Sequence, residues 1–204
     1  LTQTAALLRL NLNRSSHFEF ARLCTLSVRE LGALITDEYQ GSFTNLVESA
    51  CGQAHNLVTT LTGLKRFRDI HPYQGQNIPF YKRAQTTAAD LHLAFAKKGI
   101  TLFEDIEDVT MFPDNMVPHV LRVDGILSYT PELAARIDSS ELIKSGSPEE
   151  IEIRACAGHV VECLALEKNM KAMDIDHILW HRGTENTAYH TGKMLSHMTR
   201  SSFY

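Results

Sequence analysis

Asp114 occupies a position in the sequence where a carboxylate could do chemistry. It follows Pro113 in the stretch VTMFPDNMVPHVL, residues 109–121, and apolar residues lie on both sides of it. Proline restricts its own backbone, and Asp and Asn favour turns because their side chains bond to nearby backbone groups. We therefore expect a stiffened turn, bracketed by Pro113 and Pro118, that points the carboxylate into an apolar setting. A fixed anion there would stabilise developing positive charge, whereas the structural alternative is a helix cap.

Two further places in the sequence carry residues that a binding site could use. Glu152 and Arg154 lie near the start of a mostly apolar helix, and charged side chains are almost never fully buried unless they are paired. Trp180, the lone tryptophan, follows Asp176 by four residues, which places both on one helical face. An aromatic ring beside a carboxylate could hold a flat ligand and an acid group together. A surface ion pair and a core tryptophan are the structural alternatives.

Signatures of metal or phosphate binding are otherwise scarce. The sequence contains no glycine-rich phosphate loop, no nucleophile elbow and no cysteine-rich metal motif. His177 and His181 are spaced i, i+4, which could place two imidazoles on a metal, but zinc sites need a third and usually a fourth ligand. We therefore interpret the pair as part of a polar helix face, and we expect neither a metal nor a cofactor.

Helical periodicity runs through nearly the whole chain, and we predict an all-α protein that forms a single globular, multi-helix domain over residues 1–204. Helices are predicted after Ser15 or Ser16, over residues 42–63 and 77–99, after Thr130-Pro131 and Ser147-Pro148, and around residues 174–181. Glu150 is placed to complete a capping box with Ser147. The helix that follows is apolar almost all round, so we predict that it is central and buried. A short extended piece is expected near residues 71–80.

Composition narrows the range of functions. The net charge of −4 and the pI near 6.2 argue against a general nucleic-acid binder, which usually carries a basic excess. No apolar run reaches the roughly 20 residues of a membrane span. The four cysteines form no CxxC pair, which favours reduced thiols packed within helices. We expect a cytosolic or nuclear protein without a direct nucleic-acid or membrane partner, and the sequence fixes no oligomeric state.

Several segments, taken in order, resemble the queuosine salvage proteins, the queuosine 5′-phosphate N-glycosylases. The segments are SFTNLVESACGQA, IPFYKRAQTTAADL, FEDIEDVTMFPDNMVPHVLRVDGILSYTPEL, GSPEEIEIRACAGHVVECL, DIDHILW and SHMTRSSFY. The family pattern has an FYKRAQ-like block, an Asp within a TMFADYRVPQ-like block, an EIRA step, a Leu-Asp-x-x-Leu-Trp block and a basic tail that ends in tyrosine. FYKRAQ and EIRA in this order are a specific signal. The chain departs from the pattern at Pro113, Asn115, Met116, His119 and Met198.

The resemblance implies a fold like that of helical glycosylases and hydrolysis of the N-glycosidic bond of queuosine 5′-monophosphate, releasing queuine for salvage into tRNA modification. It makes Asp114 the catalytic carboxylate, with Asp176 as the second candidate. Family members also carry an Asn-Phe-aromatic block nearer the N-terminus, so we expect the family fold to include a further N-terminal part.

Substrate contacts are implied for residues in four groups. Phe112 and Trp180 would stack on the deazapurine, and Asp176 or Glu152 would accept hydrogen bonds from its guanidine-like edge. Arg154 would bind at that edge or anchor Glu152 or Asp114. The 5′-phosphate would be bound by Lys82, Arg83, His197 and Arg200. Two other functions stay open on the sequence. One is a helical DNA-repair glycosylase, which also sets an Asp beside an extruded nucleotide but needs a glycine-rich hairpin that is missing here. The other is a non-catalytic helical paralogue or scaffold.

Overall fold

The computed structural model describes all 204 residues, and the chain divides into two compact units, residues 1–51 and 52–204. The first unit contains α1 (Thr2–Leu7), α2 (Ser15–Glu38) and α3 (Phe43–Ser49). The second contains α4 (Ala54–Thr62), α5 (Lys82–Ala96), α6 (Met116–Val123), α7 (Pro131–Asp138), α8 (Pro148–Lys168) and α9 (Ala172–Glu185). The predicted all-α class is confirmed. None of the helices combines the length and the apolar character needed to cross a bilayer.

A short antiparallel hairpin is the β-structure of the second unit. Strand β1 (Ile70–Tyr73) pairs with β2 (Gln76–Pro79), which confirms the extended piece expected near residues 71–80. Gln74 and Gly75 form the turn with φ values of 47° and 79°, the backbone that tight two-residue hairpins require. The hairpin leads directly into α5, so the helix predicted over residues 77–99 begins later than expected.

The helix predicted over residues 42–63 is wrong as a single element. The chain forms α3 and α4 instead, because Cys51 and Gly52 adopt positive φ values of 51° and 73° that a right-handed helix does not accommodate. The new helix begins where the Asp105 carboxylate accepts hydrogen bonds from the amides of Ala54 and His55. Residues about fifty positions apart thus supply the cap, and hydrophobic periodicity does not report such a partner.

Helices α6, α8 and α9 enclose the main apolar core of the second unit. The core side chains include Met111, Val117, Val120, Leu121, Ala157, Val161, Ile175, Leu179 and Tyr189. Helix α8 contributes one face only, since Cys156, Cys163 and Leu166 on its other side are exposed. The prediction of a central, buried helix is therefore wrong for that face, and the expected packing of the cysteines fails at Cys51 as well, which is also exposed.

The predicted N-terminal caps of two helices are present. The Thr130 hydroxyl accepts from the Leu133 amide at 3.3 Å, and the Ser147 hydroxyl accepts from the Glu150 amide at 3.3 Å. The predicted capping box is wrong, because the Glu150 carboxylate accepts from the Gly146 amide instead of closing back onto Ser147. Its other oxygen accepts from Arg154, so Glu150 belongs to a buried charge network and not only to a helix end.

Gly183 allows α6 and α9 to approach closely. A methyl group at this position would lie 2.6 Å from Met116 Sδ and 2.6 Å from Val120 Cγ2. Gly183→Ala should therefore lower the free energy of unfolding by about 1–3 kcal/mol through overpacking. The matched control is Gly158→Ala in α8, where the nearest atom would be Met111 Sδ at 3.9 Å. That variant should be neutral or more stable, by up to about 1 kcal/mol. Urea unfolding measures both, and equal effects would contradict the close contact at Gly183.

Candidate active site

Asp114 lies at the start of α6 with its carboxylate turned inward, and only 4% of the residue is exposed. Its Oδ1 accepts hydrogen bonds from the amides of Met116, at 2.8 Å, and Val117, at 3.2 Å. The carboxylate thus caps the helix through one oxygen and keeps Oδ2 for another partner. The expected bracketing by two prolines is wrong in part, since Pro118 is the third residue of α6, a position where its missing N–H costs no intrahelical bond.

Lys82 is the partner of the second Asp114 oxygen. Its Nζ lies 3.5 Å from Oδ2, and 21% of the lysine side chain is exposed against 6% of the aspartate side chain. Lys82 is the first residue of α5, and Tyr81 before it has a left-handed backbone with φ of 49°. This turn redirects the chain from the hairpin into the helix. The carboxylate of the ion pair is therefore buried, and its ammonium is partly exposed to solvent.

Arg154 holds the backbone next to Asp114. The side chain is fully buried, and its Nε donates to the carbonyl oxygen of Pro113 at 3.0 Å. Its Nη1 and Nη2 donate to the two Asp69 carboxylate oxygens, and Nη1 also donates to Glu150 at 3.0 Å. Of the two roles expected for Arg154, substrate contact and anchoring, its complete burial favours anchoring. Arg154 positions the turn that carries Asp114.

Two aromatic rings lie against the Arg154 guanidinium. The Phe80 ring lies 4.0 Å from the guanidinium carbon and the Tyr204 ring lies 4.6 Å from it. The Tyr204 hydroxyl donates to Glu150 at 2.8 Å, so Tyr204 also belongs to the network. Burial opposes ionisation of Asp69, but hydrogen bonds from His71 and Arg154 outweigh it and hold the pKa of Asp69 below its ordinary value.

Asp176 approaches the same place from α9. Its Oδ1 accepts from the Phe112 amide at 3.0 Å, so the stretch that carries Asp114 is tied to α9. Burial raises the pKa of Asp176 to about 7; the Phe112 amide opposes that rise, and the negative charge of Asp114 adds to it. The structure therefore brings together Asp114, Lys82, Asp176 and Phe112, four of the residues that the sequence analysis selected.

A cavity of about 590 Å³ adjoins this cluster and shares Phe112 with it, a volume that suits a small ligand. It lies between α5 and α9, and its lining residues are Ala89, Asp90, Leu93, Ala94, Lys97, Phe112, Met173, Asp174, His177 and Ile178. Trp180 is on α9, one turn beyond Asp176, with 40% of its surface exposed. It is not a core tryptophan, which removes the structural alternative for this residue.

The remaining predicted contacts lie elsewhere or are engaged with the protein. Glu152 is exposed and accepts from the Tyr73 hydroxyl of the hairpin. Arg83 donates to the carbonyl oxygens of residues 66 and 202 and covers the Phe67 ring at 4.5 Å. His197 is buried, whereas Arg200 is exposed in the tail. The sequence analysis missed Asp69, whose contact with Arg154 spans 85 positions and leaves no local signal.

Burial gives His197 a pH-dependent effect on stability. Desolvation, followed by the charges of Arg154 and His119, lowers the pKa of His197 to about 4, so the imidazole is neutral at neutral pH. Because an unfolded histidine has a pKa of about 6.5, the unfolded chain binds this proton first as pH falls. The stabilising contribution is present above about pH 6.5 and is lost progressively toward pH 4.

His197→Gln should remove this contribution. Relative to the variant, the wild type should lose unfolding free energy as the pH is lowered from roughly 6 to 4.5. The loss should be up to about 1.4 kcal/mol per pH unit. The comparison is made between variants because the raised pKa of Asp176 acts in the opposite direction over this range. His159→Gln, at an exposed position of α8, is the control and should follow the wild type. A pH-independent difference for His197→Gln would contradict the buried neutral imidazole.

Comparison with known proteins gives a consistent family. A family model described as "Queuosine salvage protein" matches residues 5–204. The queuosine 5′-phosphate N-glycosylase/hydrolase of Sphaerobacter thermophilus is 38% identical over 183 residues, covering 87% of this chain and 56% of the relative. The protein of that name from Dictyostelium discoideum is 38% identical over 162 residues, 76% of this chain and 50% of the relative. That from Mus musculus is 31% identical over 190 residues, with coverages of 87% and 56%. The chain spans about half the length of the curated relatives it matches.

Proposed function

The chain belongs to the queuosine salvage protein family, and on that basis we propose that the protein hydrolyses the N-glycosidic bond of queuosine 5′-monophosphate, yielding queuine and ribose 5-phosphate. The names of the relatives, queuosine 5′-phosphate N-glycosylase/hydrolase, support the reaction and the substrate. The observation that carries the proposal is the Asp114 carboxylate, which is fixed through Oδ1 and directs Oδ2 toward Lys82.

The substrate base explains why a fixed carboxylate is needed. Queuine is a 7-deazaguanine, so the nitrogen that is protonated to activate ordinary purine leaving groups is replaced by carbon. Stabilising the positive charge that grows on the ribose must then carry more of the barrier. At about 4 Å and an effective dielectric constant near 20, two opposite unit charges attract by roughly 4 kcal/mol. An interaction of that size made only in the transition state is a rate factor of about a thousand.

Asp114 supplies this charge with little freedom to reorient. Two backbone amides hold Oδ1 and the Lys82 ammonium faces Oδ2, so the anion is oriented before substrate enters. In the proposed reaction the oxygen of a water molecule bonds to the anomeric carbon, and the bond from that carbon to the base nitrogen breaks. The bonding electrons pass to the base, and a proton from the water reaches it through Asp114. Asp176 is the second candidate for this transfer.

The base and the phosphate have separate proposed binding residues. Phe112 and Trp180 would stack on the deazapurine, and Asp176 would accept from its guanidine-like edge; Phe112 lines the adjoining cavity and Asp176 bonds to its amide. For the phosphate, Lys82 and Arg200 keep exposed surface, whereas Arg83 is engaged with backbone carbonyls and His197 is buried. We retain Lys82 and Arg200 for that role.

Substitutions of Asp114 and Lys82 test the proposal in the full-length protein. Queuosine 5′-monophosphate is the substrate, and released queuine is quantified by mass spectrometry. Asp114→Asn should lower the rate by at least about a hundredfold, because the neutral amide cannot stabilise the growing cation. Lys82→Met should lower it as well, since Oδ2 loses its partner. Thermal unfolding of each variant separates loss of chemistry from loss of folding.

Asp108→Asn is the matched control, because that aspartate is exposed and lies outside the cluster. It should release queuine at the wild-type rate. Full activity in Asp114→Asn, together with inactivity in Asp176→Asn, would transfer the catalytic role to Asp176. No release by the folded wild type would favour a scaffold, and release of bases from duplex DNA would favour the DNA-repair function.

A further inference from the structure

Three residues on the exposed side of α9 form a chain of side-chain contacts. His177, His181 and Glu185 follow one another at intervals of four, so they share one helical face. Nε2 of His177 lies 3.0 Å from Nε2 of His181, and Nδ1 of His181 lies 2.9 Å from the Glu185 carboxylate. The two Nε2 atoms thus face each other at hydrogen-bond distance.

We propose that His177 and His181 bind a borderline divalent metal ion of the Zn²⁺, Ni²⁺ or Co²⁺ class. Imidazole nitrogens coordinate such ions at about 2.1 Å. Two nitrogens at that distance are about 3.0 Å apart around an ion with right-angled, octahedral geometry and about 3.4 Å apart around a tetrahedral ion, and the two Nε2 atoms lie 3.0 Å apart. The sequence analysis interpreted this pair as a polar helix face, and the short separation of the two Nε2 atoms is what changes that interpretation.

Glu185 is placed to favour the His181 tautomer that a metal requires. A carboxylate that accepts from Nδ1–H leaves a lone pair on Nε2, and most metal-binding histidines have such a partner behind them. Glu185 stands in that position relative to His181. The site therefore has one pre-oriented ligand, His181, and a second, His177, whose Nε2 exchanges its proton for the ion.

The competing explanation is a hydrogen-bond chain without metal, in which His177 Nε2–H donates to His181 Nε2. Both states use the same atoms, so the proposal amounts to displacement of that proton by an ion. No group of three His, Cys, Asp or Glu side chains is placed to hold the ion, so water or an exchangeable ligand must fill the other positions. Two protein ligands are fewer than the three or four of the common zinc sites, so the bound ion keeps several exchangeable positions.

The location of the pair gives the ion access to a ligand. His177 also lines the cavity of about 590 Å³ beside Phe112, so exchangeable coordination positions would be available at the cavity edge. An anionic group on a molecule in that cavity is the chemistry that such positions accept. This proposal goes beyond the hydrolysis of a nucleotide and stands independently of it, since it rests on the α9 contacts alone.

The lone tryptophan provides a direct measurement. The Trp180 and His181 ring centroids are 5.4 Å apart, and the chain has one tryptophan, so a Co²⁺ or Ni²⁺ ion at the site should quench its fluorescence. We expect saturable quenching in the folded full-length protein, and we expect Zn²⁺ to reverse it by competition. Zn²⁺ should also raise the melting temperature, because it binds the folded helix and not the unfolded chain.

Single substitutions assign the effect to the pair. His177→Ala and His181→Ala should each raise the apparent dissociation constant at least about tenfold, and Glu185→Gln should raise it by about ten- to a hundredfold. The control removes a second exposed pair, His159 and Cys163 on α8, where Nε2 and Sγ are 3.7 Å apart. The His159→Ala/Cys163→Ser variant should keep wild-type quenching and the wild-type rise in melting temperature.

Three results would overturn the proposal. The first is a wild type that shows no saturable quenching below about millimolar Co²⁺ or Ni²⁺, which would leave only the hydrogen-bond chain. The second is wild-type affinity in both histidine variants. The third is loss of quenching in the His159→Ala/Cys163→Ser control, which would place the ion on α8. His177 and Glu185 are exposed and the His181 side chain is 43% exposed, so the variants should remain folded.

Discussion

The buried charge of Arg154 is the constraint around which the second unit is organised. Removing a guanidinium from water is costly unless protein groups accept its hydrogen bonds and compensate its charge. Here Asp69 and Glu150 provide the opposite charges, and the Phe80 and Tyr204 rings cover the guanidinium. One donor, Nε, is directed to the Pro113 carbonyl. The network that compensates the charge therefore also fixes the backbone beside the candidate catalytic residue.

The same guanidinium is linked to both members of the ion pair. Phe80, which stacks on Arg154, precedes Lys82 by two residues, and Pro113, which accepts its hydrogen bond, immediately precedes Asp114. Arg154 thus contacts residues next to both members of the ion pair, and none of its hydrogen bonds goes to the Lys82 ammonium or the Asp114 carboxylate. Sites that must hold charge in a defined place depend on such support, because small displacements weaken electrostatic stabilisation. This is why a fully buried arginine accompanies a partly open lysine.

Much of the fold and part of the site could be predicted from the sequence, and there are physical reasons why the rest could not. The caps at Thr130 and Ser147 are local, so the dipeptides that form them are visible in the sequence. The break after Cys51 was missed because its backbone and its cap from Asp105 depend on distant residues. Arg154 was selected as unusual, and anchoring of Asp114 was one of the roles considered for it, but neither its burial nor its contact with Asp69 can be predicted from nearby sequence.

The structure of the full-length protein with a cationic ribose analogue would test the account most directly. A ligand that carries queuine, a 5′-phosphate and a protonated nitrogen in the sugar ring imitates the charge of the proposed transition state. The account predicts that the ring nitrogen lies about 4 Å or less from Asp114 Oδ2, with Arg154 still bound to the Pro113 carbonyl. A ring nitrogen that contacts Asp176 alone, or that lies far from every carboxylate, would contradict it.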